Sequence, residues 1–590
     1  MSTSQPMLGF RARKQFLSAR YLWRSLTPLM SSTSGPRAPP GHSLLVEGSA
    51  SIPFSEGNEV FYNKVQVFNR DMSIHVVKLF AERRLREMRE KALRKEKKEA
   101  GQEVTDEDIS ALDKEDWGAQ VAITGETEGI RVLDALAATA LRSVRYLKEI
   151  PGIKELVVND MDEAAVEAAK RNMEFNEIDP KKVTVQQGDA CAVMWGSRSP
   201  GDQFDVIDLD PYGSASMFLD GAVQAVASGG LLCVTCTDMA TLSGGNPEAC
   251  YMRYGSMPTK GKYLHEMSLR ILLNDLSRTA ARHGRYIQPV MSLSIDFYIR
   301  VFVRVFKGPG KANKSCQKAA LVAQSTQCPS FWMIPVARAV GSTSHPGTMP
   351  NEVGVCGETG GRIKVFGGPI WSDPIHDITW LKQLLKRIQR SPECYSTSPR
   401  MLGTLTLVNE ELQDVPLYYL LPDLCATLHC TSPRSKEFMG ALMNAGYRAS
   451  QVHKEPGGIK TDAPPEVIWD IMRCWCKKHP VSARRLVEGS AAKLILAKEP
   501  QLTASFVVPS ALRNRKEVMR YPQNPEPSWG PKKRAKGNKK PRDETQAGAT
   551  GSSNAQAEGT VPGSGSGDTT CKKARIEQEP VGDTKAKAKP

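Results

Sequence analysis

The chain has 590 residues, more than one compact core normally contains, so we expect two or three domains plus tails. Its formal net charge is +15, but residues 1–46 contribute +6 and residues 521–590 contribute +5, leaving only +4 between them. This charge permits nucleic-acid binding without establishing it. The sequence has no run of eighteen apolar residues, which excludes a membrane-spanning helix. Its thirteen cysteines form no tight framework, which favours reduced thiols.

Both ends of the chain have the composition of targeting or disordered segments. Residues 1–46 are rich in Arg and Ser and lack acidic residues, which is typical of a mitochondrial presequence; a disordered basic tail is the alternative. Residues 523–590 are a low-complexity tail whose basic clusters, 531–536 and 539–542, fit a bipartite nuclear import signal or a nonspecific polyelectrolyte tail. We therefore expect the protein in the mitochondrion and in the nucleus or cytoplasm.

Short apolar runs rich in β-branched residues alternate with helical segments in the first half of the chain. The runs are 129–134, 155–160, 183–187, 204–208, 230–235, 287–295 and 298–307, with helical segments such as 162–172 and 215–227 between them. Continuous apolar strands indicate a sheet buried on both faces. Their alternation with helices indicates a doubly wound α/β domain, which we place at residues 47–310.

The second half of the chain begins with a change of composition. Residues 311–370 are rich in Gly, Ser, Pro and Lys and predict a loop-rich connector. Helical and strand signals resume at Trp371 and include residues 381–388, 417–429, 435–445 and 465–476. We therefore expect a second, α+β domain over residues 371–522.

Acidic residues lie at or just after the ends of four successive predicted strands of the first domain. They are Asp134, Asp160, Asp189, and Asp208 together with Asp210. In open α/β sheets, ligands bind outside the carboxyl ends of the strands. We therefore expect these carboxylates to line one binding cleft.

The turn after the first of these strands indicates which cofactor binds. An acid such as Asp160 accepts both ribose hydroxyls of an adenine nucleoside, as it does in NAD sites. Residues 134–142 lack the G-x-G-x-x-G pattern that cradles a diphosphate. S-adenosylmethionine carries no diphosphate, so we predict it as the cofactor, with Asp134 and Asp160 at its pocket and Asp189 with Ala190 near the adenine.

The run Asp210-Pro211-Tyr212-Gly213 follows the apolar strand that contains Asp208. This pattern is typical of enzymes that methylate exocyclic amines, whose lone pair is delocalised into the base. The Asp210 carboxylate and a backbone carbonyl beside Pro211 accept the two N–H bonds and stabilise the positive charge that develops on nitrogen. Pro211 fixes the backbone, and Tyr212 stacks on the base. Asp208, Asp210, Pro211 and Tyr212 are therefore the predicted catalytic residues, with a plain turn after a strand as the alternative.

The motifs resemble those of one family, the tRNA guanine-N2 dimethyltransferases that act on position 26 of tRNA. The resemblance covers roughly residues 55–530. It rests on long runs, namely residues 61–63, 68–71, 141–146, 159–160, 204–214, 231–240, 367–371, 414–419 and 460–464.

This resemblance implies a Rossmann-like class I methyltransferase domain, followed by a C-terminal α+β domain that binds tRNA. It implies two successive methyl transfers to one guanine N2. It also implies an S-adenosylmethionine pocket lined by Arg70, Arg142, Asp160, Asp189 and Ala190, in which the two arginines contact the methionyl carboxylate or order the pocket. We favour a monomer whose partner is tRNA.

The chain departs from the family at positions that leave other functions open. Ala140 stands where the family usually has Gly, a change that is tolerated if φ is negative. Relatives often carry two C-x-x-C pairs, consistent with zinc, where this chain has Ser325 with Cys328 and Val353 with Cys356, so we predict no metal. The alternatives are a catalytically weak RNA-binding protein on the same fold and an adenine-N6 methyltransferase, whose amine the same Asp-Pro-aromatic pattern serves.

Overall fold

The structure is a computed structural model, and it describes residue 38 and residues 40–55, 62–349 and 354–522. The predicted nuclear import signal lies outside the described residues, as does the predicted presequence up to residue 37. The strands are β1 His42–Glu47, β2 Ala50–Ser55, β3 Ile130–Asp134, β4 Ile153–Asp160, β5 Val183–Gln187, β6 Phe204–Leu209, β7 Val226–Cys236, β8 Arg285–Ile295, β9 Tyr298–Lys307, β10 Ala319–Ser325, β11 Phe331–Pro335, β12 Ala337–Val340, β13 Thr343–Pro346, β14 Ile363–Trp371, β15 Tyr419–Leu420, β16 Ala449–Gln451 and β17 Gly458–Thr461.

The helices extend over both halves of the described chain. They are α1 Val67–Glu99, α2 Asp106–Asp113, α3 Trp117–Glu128, α4 Leu141–Glu149, α5 Glu163–Phe175, α6 Ala190–Gly196, α7 Leu219–Ala225, α8 Met239–Leu242, α9 Pro247–Tyr254, α10 Leu264–Arg282, α11 Pro309–Ala312, α12 Ile378–Arg390, α13 Ser398–Glu410, α14 Leu421–Leu428, α15 Ser435–Asn444, α16 Pro465–Lys478, α17 Ala491–Leu496 and α18 Ser510–Arg513. Among the described helices, none has both the length and the apolar character needed to cross a membrane.

The central sheet has seven strands in the order β5-β4-β3-β6-β7-β9-β8. Strands β3 to β7 are parallel, whereas β9 runs antiparallel to both β7 and β8. The predicted α/β fold is therefore confirmed. The strand order reverses between β3 and β6, where Asp134 lies in register with Asp208. Such a reversal opens a crevice at the carboxyl ends of the strands.

Both faces of this sheet are buried, as its continuous apolar strands predict. Leu133 of β3 belongs to a core with residues of α6, α7 and α10. Its neighbour Val132 belongs to a second core with residues of α1, α4 and α5. Because successive residues of a strand point to opposite faces, these two cores cover the two sides of the sheet.

The prediction of a loop-rich connector over residues 311–370 is wrong. This segment contains β10 to β14, of which β11, β10 and β14 form an antiparallel sheet and β12 pairs with β13. The Gly, Ser and Pro residues lie largely at the ends of short strands, so composition alone does not distinguish such hairpins from loops. The sheet brings Cys328 and Cys356 together, with their Sγ atoms 3.7 Å apart.

The last part of the described chain contains α12 to α18 and a small sheet in the order β15-β17-β16. Helices occupy the predicted segments 381–388, 435–445 and 465–476. The predicted segment 417–429 contains strand β15 followed by helix α14. Residues of α12 and α13 join the core that α1 forms with the central sheet. Buried ionic contacts add to this packing, as between Lys460 Nζ and Glu266 Oε2 at 3.0 Å. The predicted domain boundaries stay a prediction.

Candidate active site

The carboxyl edge of the central sheet gathers three of the predicted acids around one arginine. Arg142, in the first turn of α4, is buried and lies with Nη1 3.6 Å from Asp208 Oδ2. Its Nη2 pairs with Oδ2 of Asp210. Asp134 lies beside Asp208 in the sheet register. The structure therefore brings Asp134, Asp208 and Asp210 together around Arg142, and their place in a binding cleft stays a prediction.

Helix α1 holds the Arg142 side chain from behind. Arg142 Nη1 donates to Asn69 Oδ1 and to Ser73 Oγ, each at 3.2 Å. With Nη1 fixed in this way, the guanidinium presents Nη2 to Asp210 alone. Within the part of the chain that the structure describes, the other carboxylate oxygen of Asp210, Oδ1, receives no protein donor. That oxygen is available to accept a hydrogen bond from a ligand.

Asp208 is fully buried and is held by donors from two elements, α4 and β9. Tyr146 Oη of α4 donates to its Oδ2 at 2.6 Å, and Arg300 Nη2 of β9 donates to the same oxygen at 2.8 Å. Burial raises the pKa of Asp208, but Arg142 and Arg300 outweigh it and hold the pKa below its usual range. Asp208 is therefore held as a buried anion, and its predicted catalytic role stays a prediction.

Sequence reasoning missed Arg300 and Tyr146 as supports of the site. The signal for Arg300 was a charged residue inside the continuous apolar strand β9, where a buried charge requires a partner. Arg300 also donates through Nη1 to Thr235 Oγ1 of β7 at 2.6 Å. It therefore links β9 and β7 to the carboxylate of Asp208.

Asp134 differs from Asp208 although both are buried at the same edge. Burial and then the negative charge of Asp208 raise the pKa of Asp134 to about 7. Ser143 Oγ donates to its Oδ2 at 2.5 Å. Two adjacent acids thus have opposite protonation preferences, which limits the negative charge stored in the cleft.

Asp160 ends β4 and holds the turn that follows β3. Its Oδ2 accepts from the Ala138 amide at 2.8 Å and its Oδ1 accepts from the Asp162 amide at 3.0 Å. Each carboxylate oxygen has a further lone pair, so both can also accept ribose hydroxyls.

The hydrogen bonds of the backbone amides in that turn distinguish between S-adenosylmethionine and a dinucleotide as the cofactor. Ala135 donates to the Asp208 carbonyl, Ala137 to the Asn159 carbonyl and Ala140 to the Ala137 carbonyl, while Ala138 donates to the Asp160 carboxylate. Backbone amides that donate within the protein do not form the cradle that a diphosphate requires. The donor set fits an adenosine ribose at Asp160 and does not fit a dinucleotide.

Asp189 and Ala190 lie directly beyond β5, at the start of α6. The Asp189 side chain caps this helix by accepting from the Cys191 amide at 3.0 Å, and Ala190 is buried. The Asn159 side-chain amide donates to the carbonyl of Gly188, which ties this turn to the end of β4. Both predicted residues therefore lie at the same edge as Asp160.

Arg70 is not part of the cluster around Arg142. Its Nε donates to Glu47 Oε1 at 2.6 Å and its Nη2 donates to Glu47 Oε2 at 2.5 Å. Arg145 also contacts Glu47, with Nη1 2.7 Å from Oε1. Burial raises the pKa of Glu47, but Arg70 and Arg145 outweigh it and lower that pKa. Arg70 therefore fastens β1 to α1, and its predicted contact with the cofactor stays a prediction.

Ala140 does not meet the condition under which Ala was expected to replace Gly easily. Its φ is +58° and its ψ is +19°, the left-handed conformation that Gly adopts without strain. For an L-residue this conformation costs roughly 1–2 kcal/mol. The Ala140 side chain is buried in the core below the cleft, so its methyl group packs against protein.

The segment 210–214 is fastened to the end of β7. The Gly213 amide donates to Thr237 Oγ1 at 2.8 Å, and the Thr237 amide donates to the Gly213 carbonyl at 2.9 Å. Gly213 has a φ of +84°, which favours glycine. Pro211 is buried, whereas Tyr212 is 48 % exposed. The predicted stacking residue therefore presents its ring at the surface beside Asp210.

One group among the described residues has donor atoms close enough together for a metal ion: His376, Glu411 and His453. His376 Nδ1 accepts from the Ser292 amide at 3.2 Å, and His453 Nε2 accepts from the Ser294 amide at 3.0 Å. In a neutral imidazole the other nitrogen then carries the proton and cannot bind a metal. His453 Nδ1 accordingly lies 2.7 Å from Glu411 Oε1, so the group is a hydrogen-bonded structural cluster.

A family model described as "TRM: N2,N2-dimethylguanosine tRNA methyltransferase" matches residues 41–473. The chain belongs to this family. A mouse tRNA (guanine(26)-N(2))-dimethyltransferase is 43 % identical over 530 residues, covering 85 % of this chain and 78 % of the relative. A human protein of the same name is 39 % identical over 569 residues, covering 91 % of this chain and 86 % of the relative.

A solved structure with a similar fold agrees with this family membership. The complex of Trm1 from Pyrococcus horikoshii with S-adenosyl-L-methionine has a TM-score of 0.56 and 26 % sequence identity to this chain. The match covers 72 % of this chain and 98 % of that one. The resemblance inferred from the sequence motifs is therefore confirmed, as is the Rossmann-like fold.

Proposed function

We propose that this chain transfers methyl groups from S-adenosylmethionine to the exocyclic N2 of guanosine 26 in tRNA, giving N2-methylguanosine and N2,N2-dimethylguanosine. Family membership and the names of the mouse and human relatives support this reaction. The structural observation that carries the proposal is Asp210, whose Oδ1 is open to a ligand while Arg142 holds its Oδ2. A charged acceptor fixed beside the exposed ring of Tyr212 suits a base amine.

The chemistry follows from the electronic structure of guanine. The N2 lone pair is delocalised into the ring, so the amine is a weak nucleophile. Asp210 Oδ1 accepts one N–H and a backbone carbonyl beside Pro211 accepts the other, and both stabilise the positive charge that develops on nitrogen. S-adenosylmethionine, when bound, supplies an electrophilic methyl group. The methylated amine then loses its proton to Asp210 or to water, so no separate base is required.

The remaining residues of the site would position the two reactants. Asp160 would accept the ribose hydroxyls of the cofactor, and Asp189 with Ala190 would lie at its adenine. Arg142 and Arg70 would contact the methionyl carboxylate or order the pocket around it, and Asp134 would form part of its wall. The Pyrococcus horikoshii structure was solved with S-adenosyl-L-methionine, which supports this choice of cofactor.

The target guanosine must leave the helical stack to reach Asp210. Stacking on Tyr212 would offset part of that cost, since base–aromatic stacking contributes about 1–3 kcal/mol at comparable sites. We propose residues 47–310 as the methyltransferase domain, residues 311–370 as a connecting sheet and residues 371–522 as the tRNA-binding domain. We favour a monomer.

The proposed cellular distribution includes the mitochondrion and the nucleus or cytoplasm. One relative, from Saccharomyces cerevisiae, is named a mitochondrial tRNA (guanine(26)-N(2))-dimethyltransferase and is 31 % identical over 530 residues. Imaging of full-length and residue 47–590 forms tests the role of the first 46 residues. If the shortened form still localised to mitochondria, the proposal that residues 1–46 are a presequence would be contradicted.

Mass spectrometry of nucleosides from tRNA incubated with the enzyme and cofactor tests the reaction. We expect N2,N2-dimethylguanosine with the wild type and none with Asp210→Ala. If N6-methyladenosine appeared instead, the target base would be adenine and not the proposed guanine. Tight tRNA binding without any methylated product would favour a catalytically weak RNA-binding protein.

A further inference from the structure

Helix α9 exposes two large side chains. Tyr251 is 60 % exposed and Met252 is 74 % exposed. Helix α9 packs against the short 3-10 helix Ser216–Phe218, in which Met217 is 67 % exposed. Large apolar side chains that are exposed on adjoining elements indicate an interaction surface.

Helix α9 is connected to the proposed catalytic segment through the hydroxyl group of Tyr254. Tyr254 is fully buried, and its Oη lies 2.7 Å from Ser214 Oγ and 2.9 Å from Asp238 Oδ1. Arg253 Nη1 of the same helix donates to Asp238 Oδ2 at 3.0 Å. Tyr251 and Met252 therefore hold a fixed position relative to Asp210.

Two exposed lysines lie on the loop that follows α9. Lys260 and Lys262 line a surface cavity of about 260 Å³. The loop is clamped to β14, since the Met257 amide and carbonyl both hydrogen-bond to Gly368, at 3.0 and 2.7 Å. A Cβ on Gly367 would lie 2.5 Å from Thr259 Cγ2, so this approach requires glycine. The Gly367-Gly368 pair thereby fixes the loop that carries the lysines.

The loop also adjoins the carboxyl edge of the sheet. Gly244 follows α8, which itself begins just beyond β7, and a Cβ on Gly244 would lie 3.4 Å from Lys260 Cγ. Tyr254 links α9 to Ser214, and Lys260 lies beside the segment that follows β7, so the exposed residues of α9 and Lys260 lie on the side of the sheet where Asp210 is found. Surfaces that bind an unpaired nucleic-acid strand combine basic side chains with side chains on which bases stack.

We infer that Tyr251, Met252, Lys260 and Lys262, here called the α9 surface, bind the tRNA strand next to the methylated guanosine. The inference rests on the proposed function. Extrusion of the guanosine leaves the neighbouring bases without a stacking partner, and Tyr251 with Met252 supplies one. Lys260 and Lys262 bind the flanking phosphates. The α9 surface thereby determines how firmly the extruded guanosine is presented to Asp210.

Binding of an unmodified tRNA transcript tests this inference without requiring methyl transfer. Tyr251→Ala should raise the Kd for tRNA roughly ten-fold, because a stacking contact is lost. Tyr251→Phe keeps the ring and should stay within about two-fold of the wild type. The double variant Lys260→Gln, Lys262→Gln should lower the slope of log Kd against log salt by about 1.5, since two phosphate contacts are lost.

Matched controls come from exposed residues elsewhere on the methyltransferase part. Ile123→Ala removes an exposed apolar side chain of α3, and Lys154→Gln removes an exposed lysine at the opposite edge of the sheet. Both should leave tRNA binding unchanged. The Kd for S-adenosylmethionine should be unchanged in every variant. If Tyr251→Ala acted only by disturbing the structure, it would alter this Kd as well.

Wild-type tRNA binding by Tyr251→Ala and by the double lysine variant would overturn the inference. So would failure of Tyr251→Phe to restore binding. The variants could weaken tRNA binding as expected while the wild type makes no dimethylguanosine. That result would support the α9 surface and refute the proposed reaction.

Discussion

Replacement of Asp208 by Asn should strongly destabilise the central sheet. Asp208 is fully buried, and Tyr146, Arg300 and Arg142 all face its carboxylate. Asn keeps the shape but removes the charge, which leaves two buried guanidiniums partly uncompensated. Removal of one partner from a buried ion pair costs about 3–5 kcal/mol. We therefore expect a loss near 4 kcal/mol in the free energy of unfolding, within that range.

Urea and thermal unfolding of the full chain without cofactor measure this loss. A loss of this size should lower the melting temperature by roughly 4–8 °C. Asp202→Asn is the matched control, because it removes the same charge from an exposed position just before the same strand. The control should stay within about 0.5 kcal/mol of the wild type. A loss below about 1 kcal/mol for Asp208→Asn would refute a charged, structural role for this residue.

Substitutions at three further positions test other parts of the site. Asp160→Ala should raise the Kd for S-adenosylmethionine about 100-fold in calorimetry, since two hydrogen bonds to a charged group are lost; an unchanged Kd would place the ribose elsewhere. The pKa of Asp134 is raised to about 7 in the folded protein. The stability that this protonation contributes is therefore complete below about pH 4 and is lost as the pH rises towards 7. Over that range the free energy of unfolding should fall by about 1.4 kcal/mol per pH unit. Asp134→Asn should therefore gain stability relative to the wild type across that window in urea titrations, and a constant difference would contradict the raised pKa. Tyr212→Ala should lower kcat/KM for tRNA at least about ten-fold while Tyr212→Phe preserves it, and equal losses would exclude stacking.

The sequence was sufficient for the strands of the central sheet and for the acids at its carboxyl edge. Apolar β-branched runs located β3 to β9, because a strand buried on both faces leaves a continuous signal. The adjacency of Asp134 and Asp208 followed from the general topology of such sheets. These features depend on local pattern, which sequence contains directly.

Features that depend on tertiary contacts could not be predicted in the same way. The pairing of Arg70 with Glu47 joins α1 to β1. The convergence of Arg300 on Asp208 spans 92 positions in the chain. The sign of φ at Ala140 depends on how its turn packs below the cleft. In the connector, short strands between turn-forming residues carried too little pattern to be separated from loops.

Methyl transfer to two tRNA transcripts that differ only at position 26 tests most directly whether Asp210 directs reaction at an exocyclic N2. One transcript carries guanosine and the other inosine, which lacks the exocyclic amine. With labelled cofactor, the wild type should methylate the guanosine transcript and leave the inosine transcript unlabelled. Asp210→Asn should be slower by a factor of about 100–1000 on the guanosine transcript. Labelling of inosine at position 26, or a wild-type rate for Asp210→Asn, would contradict the account.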